Sequence, residues 1–176
     1  MVMTMIIRAA NTSDIESILE IVNDARMLIT SLGFKQWTIE SNYPNYETFQ
    51  NDVLKQSLYV LESNNKVLGM VAICVGQDEN YSTIDGNWIS NNTNYLTIHR
   101  LAIRREFYGN GLAQRLIDFS LNKAKILNIS SIRIDTHPLN IPMNNLIKKS
   151  GFTYCGKIKI IDDKIDPIRN AYEKVI

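Results

Sequence analysis

Residues Arg105–Ile117 read REFYGNGLAQRLI. Gly109 and Gly111 stand one residue apart, and an apolar helical pattern of Leu112, Leu116 and Phe119 begins directly behind them. A helix N-terminus exposes unpaired backbone amides and the positive end of the helix dipole. Glycines beside it let an anion approach those amides with no Cβ in the way. The alternative is a tight turn into a helix that binds nothing, and glycine spacing alone leaves both open. Two phosphate motifs are excluded. No GxxxxGK followed by Ser or Thr occurs, and Gln114 takes the third glycine position of a GxGxxG fingerprint. Antiparallel strands, not an opening βαβ unit, precede the loop.

Working outward, the strand before the loop is Tyr95–Ile103 and the helix after it runs from about Gly109 to Leu127. Upstream, Met5–Ala9 reads as a strand. Ser13–Glu16, SDIE, has capping-box spacing ahead of Ile15, Ile18, Leu19 and Val22. That predicts a helix to Met27 or beyond. A second helix is expected over Tyr46–Gln56. Leu58–Glu62 and Val67–Val75 form a hairpin around SNNK. Gly76–Asn94 is a polar, Asn-rich connection, long enough to carry a short element or to line a site. Downstream, SIRIDTH alternates as a strand. Asn140 and Pro142 open a short helix that Gly151 closes. Phe152–Ile161 and Asn170–Val175 complete a hairpin around DDKIDP. The order β-α-α-β-β-β-α-β-α-β-β is α/β, a mixed, mostly antiparallel sheet flanked by helices with one parallel crossover.

Composition narrows the classes. The chain has 176 residues, a length that fits one domain over 1–176. A net charge of +1 suggests no extended basic face, and no nucleic-acid motif occurs. Cys74 and Cys155 make no disulfide framework. His99 and His137 lack partners at metal-binding spacing. No run approaches the roughly 18 apolar residues of a membrane span, and the first residues lack a signal-peptide pattern. The expectation is a cytoplasmic protein with no metal, no nucleic-acid partner and no membrane partner.

The segment LAIRREFYGNGLAQRLI resembles the acyl-CoA-binding motif of the GNAT N-acetyltransferase superfamily, a Leu-Ala-Val-like strand end, a glycine loop and a helix. Here the triplet is Leu101, Ala102 and Ile103. The loop is Tyr108, Gly109, Asn110, Gly111, Leu112 and Ala113, followed by Gln114; Tyr108 stands where the family prefers Arg or Gln. A second block, Asn140, Met143, Leu146, Ile147, Gly151 and Phe152, is similar to the family's Asn-x-x-Ala-x-x-Leu-Tyr then Gly-Phe.

The resemblance implies a GNAT-like fold and transfer of an acetyl group from acetyl-CoA to a primary amine of a small molecule or peptide, by direct attack in a ternary complex. The amides of Gly109–Ala113 would cradle the coenzyme A pyrophosphate, with charge added by Arg104 or Arg105. The pantetheine would pair with Leu101–Ile103 as an added strand, and Asn140 would bond it from the other side. A backbone amide near Leu101 would stabilise the thioester oxygen. The family's tyrosine acid is Ile147 here, which leaves Tyr154, Tyr172 or water. His99 lies on the thioester strand and is the candidate base, with a structural role as its alternative. Trp37, Tyr43 and Tyr46 with Glu40 suggest an aromatic-acidic pocket for the amine, or else a connector packed on the sheet. A homodimer is expected among partners. The different-class alternative is a non-catalytic acyl-CoA-binding module.

Overall fold

The computed structural model describes residues 4–176. Eight strands form one sheet in the order β1-β2-β3-β5-β6-β8-β7-β4. They are β1 (Met5–Ala9), β2 (Leu58–Ser63), β3 (Lys66–Val75), β4 (Asp85–Gly86), β5 (Leu96–Ile103), β6 (Ser131–Thr136), β7 (Thr153–Lys159) and β8 (Ile168–Val175). Helices are α1 (Ile15–Ser31), α2 (Tyr46–Leu54), α3 (Leu112–Ile126) and α4 (Ile141–Lys149). Among the described residues only β5 and β6 pair in parallel, joined by the α3 crossover.

Strand alternation sends the two faces of the sheet into separate cores. Leu68, Val71 and Ile73 of β3 face Leu112, Leu116, Ile117 and Ile147 of α3 and α4. Val67, Met70 and Ala72 face Ile15, Ile18, Val22 and Phe49 of α1 and α2. A third cluster joins Tyr81 of the Asn-rich connection to Tyr95, Ile158 and Ala171.

Local chemistry explains most boundaries. In the β2–β3 hairpin Asn64 and Asn65 both adopt positive φ, 50° and 62°, which gives a two-residue primed turn that asparagine tolerates. Gly151 takes φ 82° and ends α4, as the sequence predicts. The expected cap of α1 moves two residues upstream. Asn11 Oδ1 accepts from the Ser13 amide at 2.9 Å, and Asp14 Oδ2 accepts from the Asn11 amide at 2.8 Å. A 3-10 turn over Thr12–Asp14 precedes the α-helix and takes the box away from Ser13 and Glu16. The helix after the glycine loop starts at Leu112, not near Gly109, because both glycines are left-handed. The long connection carries a 3-10 turn over Glu79–Tyr81 and strand β4, which pairs with β7.

Candidate active site

The site begins with a fork in the sheet. β5 and β6 pair only through Leu96–Ile132, Thr97–Arg133 and Ile98–Ile134. Beyond that, β5 continues on β3 alone and β6 on β8 alone. Two strand edges therefore face each other with unpaired backbone groups between them. A bulge sits at the mouth of the fork. Ala72 pairs with His99 and Met70 with Ala102, so Arg100 and Leu101 together oppose Val71. Arg100 has φ 50°, uncommon for a non-glycine residue. Its side chain is clamped: Nε and Nη2 donate to the two carboxylate oxygens of Asp52 at 2.8 and 2.9 Å, and Nη1 donates to the Tyr43 hydroxyl at 2.8 Å.

A cavity of about 1190 Å³ includes this fork and extends to both sides. At one end it meets Tyr108, Gly109, Gly111, Leu112, Ala113 and Gln114, with Asn140 and Lys149 opposite. Gly109 and Gly111 have φ 78° and 74°, and a Cβ at either would meet no atom within 4 Å. The glycines thus serve backbone conformation and an open approach, not packing. Gly111 is the N-cap of α3 and offers no side-chain acceptor, so the first-turn amides stay available to an anion. Burial pushes the Tyr108 phenol up, so it stays protonated. Asn140 caps α4, accepting from the Met143 amide at 3.3 Å.

At the other end the Asn-rich connection contributes Asp78 and Asn80 to the wall. His99 Nε2–H donates to Asp78 Oδ2 at 2.8 Å, which leaves Nδ1 as the nitrogen able to take a proton. Burial works against ionisation of Asp78, but the His99 contact and the Asn80 amide hold its carboxyl below the usual range. The Tyr81 hydroxyl donates to Asp135 Oδ1 at 2.6 Å. Burial, then the Asp135 charge, push the Tyr81 phenol well up, so it remains a donor. The Tyr81 ring also lies 6.1 Å from the His99 ring. Trp37 and Tyr43 line this end, with Asp162 and Ile165 of the β7–β8 hairpin.

The structure thus brings His99, Leu101, Ala102, Ile103, Tyr108, Gly109, Gly111, Leu112, Ala113, Gln114, Asn140, Trp37 and Tyr43 to one cavity. Other expected residues lie elsewhere. Glu40 is exposed outside the cavity wall, because the connector turns it to solvent. Tyr154 is 50 % exposed on β7, edge-on to its cross-strand neighbour Tyr172, and lines no part of the cavity. Tyr172 is buried and donates to Asn144 Oδ1 at 2.6 Å. Asn110 is exposed at the loop tip, beside the cavity wall. Arg104 turns away from the glycine loop to Glu20 and the Val67 carbonyl. His137 spends both nitrogens, accepting from the Leu139 amide and contacting Asp166 at 3.0 Å, and stacks on Phe34. Sequence reasoning missed Asp52, Asp78, Tyr81 and Asp135. Only the length of the 76–94 connection hinted at two of them.

The family model for the acetyltransferase (GNAT) family matches residues 16–152, and the chain belongs to that family. An acetyltransferase of the GNAT family from Streptococcus agalactiae 2603 is 34% identical, with 98% of this chain and 95% of that one covered and a TM-score of 0.88. A GNAT-family acetyltransferase from Listeria monocytogenes 4b F2365 shares the fold at 18% identity, TM-score 0.74, with 98% and 95% covered. The PaiA N-acetyltransferase of Thermoplasma acidophilum, solved in complex with coenzyme A, shares it at 17% identity, TM-score 0.71, with 99% and 100% covered. No curated protein matches the sequence.

Proposed function

We propose that this acetyltransferase moves an acetyl group from acetyl-CoA to a small primary amine, by direct attack with both substrates bound. The observation that carries the reading is the junction of the fork with the glycine loop in one cavity. The pyrophosphate sits on the amides of Gly109–Ala113. The pantetheine arm adds to the open edge of β5 at Leu101–Ile103, with Asn140 on the far side. This places the thioester at the bulge, where a backbone amide near Leu101 takes the oxygen's developing charge.

The amine arrives as an ammonium ion and loses one proton, for which His99, oriented by Asp78, is the acceptor. Its lone pair attacks the carbonyl carbon, the C–N bond forms and the C–S bond breaks. The thiolate then takes the amine's second proton, directly or through water. Tyr154 and Tyr172, the tyrosines expected as acids, lie off the cavity and take no part in this step.

The test is thiol release from acetyl-CoA across a panel of primary amines, for the parent and for His99→Gln. Turnover with at least one amine, cut about 100-fold or more in the variant, is the expected result. Acetyl-CoA binding with no turnover on any amine would favour a non-catalytic binding module. Ile147, buried where the family has tyrosine, suits that second reading.

A further inference from the structure

We infer that Asp135 is the carboxylate that holds the acceptor's ammonium group at the fork. The inference rests on the amine-acetylating reading above and assigns a residue within it.

Position is the first argument. Asp135 follows Ile134, the last β6 residue paired with β5, just as His99 follows Ile98. Ile98 and Ile134 both point into the α3–α4 core. Alternation therefore sends His99 and Asp135 to the opposite face, one on each arm of the fork. Tyr81 touches both, with its ring near His99 and its hydroxyl on Asp135. A nitrogen held at Asp135 is thus beside the base and beside the opening between the strands.

Charge is the second argument. Asp78 pairs with His99, Asp52 with Arg100, Asp163 with Arg169 and Asp166 with His137. Asp135 makes no ion pair among the described residues, and its hydrogen-bond donor, Tyr81, is neutral. Asp162 is exposed on the hairpin, where water screens it. Asp135 is half-buried in the cavity wall, so its charge is felt at the fork. A carboxylate offers about four lone-pair sites and Tyr81 takes one, while an ammonium brings three donors. The Arg100 and Arg169 guanidiniums are already committed to Asp52 and Asp163, which leaves Asp135 free to receive the acceptor.

The test is calorimetry on the full chain, for the parent, Asp135→Asn and Asp135→Glu. Coenzyme A is titrated first. Benzylamine, 1,3-diaminopropane and spermidine are then titrated separately into the loaded protein. The expected result is that at least one amine binds the parent. Asparagine should weaken that amine at least about tenfold, and glutamate should recover part of the loss. Coenzyme A affinity should stay the same in all three proteins. Equal amine affinity in parent and Asp135→Asn overturns the inference, as does no amine binding to the parent. Joint loss of amine and coenzyme A binding in Asp135→Asn overturns it too, because the role would then be structural. Failure of the parent to bind coenzyme A strikes the functional reading instead, and it is seen before any amine is added.

Discussion

Arg100 shows how one residue can set the geometry of a site. A left-handed conformation costs a non-glycine residue roughly 1–2 kcal/mol, so something must hold it there. The clamp of Asp52 and Tyr43 does so, and both Arg100 and Asp52 are largely shielded from water. Asp52→Ala leaves the guanidinium without its counter-ion. The expected cost is about 3 kcal/mol of stability, the low end for breaking a buried pair. With the bulge released, kcat should fall at least about tenfold. Denaturant titration and steady-state kinetics check this; unchanged kcat would mean the clamp serves stability alone.

The same scale shows what sequence could and could not say. Gly109 and Gly111 were legible because a glycine pair entering a helix is a local signal. Asp135 and Tyr81 are 54 positions apart and meet only through the sheet, so no window of sequence contains their contact. Glu40 and Tyr154 were misplaced for a related reason: residue type suggests a chemistry, but facing is decided by packing.

At the scale of elements, the 76–94 connection is where a loop becomes machinery. Asp78 and Tyr81 reach the fork from it, and Glu173 and strand β7 help to fix it. Glu173, fully buried, accepts from the Ile89 and Ser90 amides, at 2.6 and 3.1 Å. Strand β4 lies against β7 through Gly86 and Gly156, where backbones approach so closely that a Cβ on Gly156 would stand 2.2 Å from the Asp85 carbonyl oxygen. Gly156→Ala must therefore part β4 from β7. The expected loss is about 1–3 kcal/mol, the usual cost of overpacking, with faster amide exchange over residues 78–88. The amine KM should rise as Asp78 and Tyr81 lose their support. An unchanged melting temperature with unchanged exchange would contradict this. The length and polarity of the connection were visible in sequence, but its two-residue strand was not, because it exists only through pairing with β7.

Across the whole molecule, the order of elements was readable from periodicity and turn residues, while the fork was not. A fork depends on where two strands stop pairing, which side-chain pattern does not encode. The charge network also has a global consequence. Asp14 is held below the ordinary carboxyl range chiefly by Arg8. Asp78, Asp163, Asp166 and Glu173 are held low as well, with burial opposing and hydrogen bonds and cations prevailing. Each binds protons more weakly folded than unfolded. Their stabilisation is therefore fully present above the unfolded carboxyl pKa of about 4 and is lost as pH falls through the lower folded values. The melting temperature should be nearly level from about pH 7 to 5 and drop steeply below about pH 4. A melting temperature that held or rose down to about pH 3 would show that these carboxylates do not stabilise the fold.

In the proposed function the amides at the glycine loop hold the pyrophosphate of coenzyme A, and calorimetry of acetyl-CoA on Gly111→Asp and Gly111→Asn is the test. Both residues tolerate the left-handed backbone and both cap helices well, so both variants should fold. They differ by one negative charge at the N-terminus of α3. The expected result is that the parent binds acetyl-CoA and that Asp weakens binding at least about tenfold more than Asn does. Equal affinities in the two variants, or no binding by the parent, would contradict it.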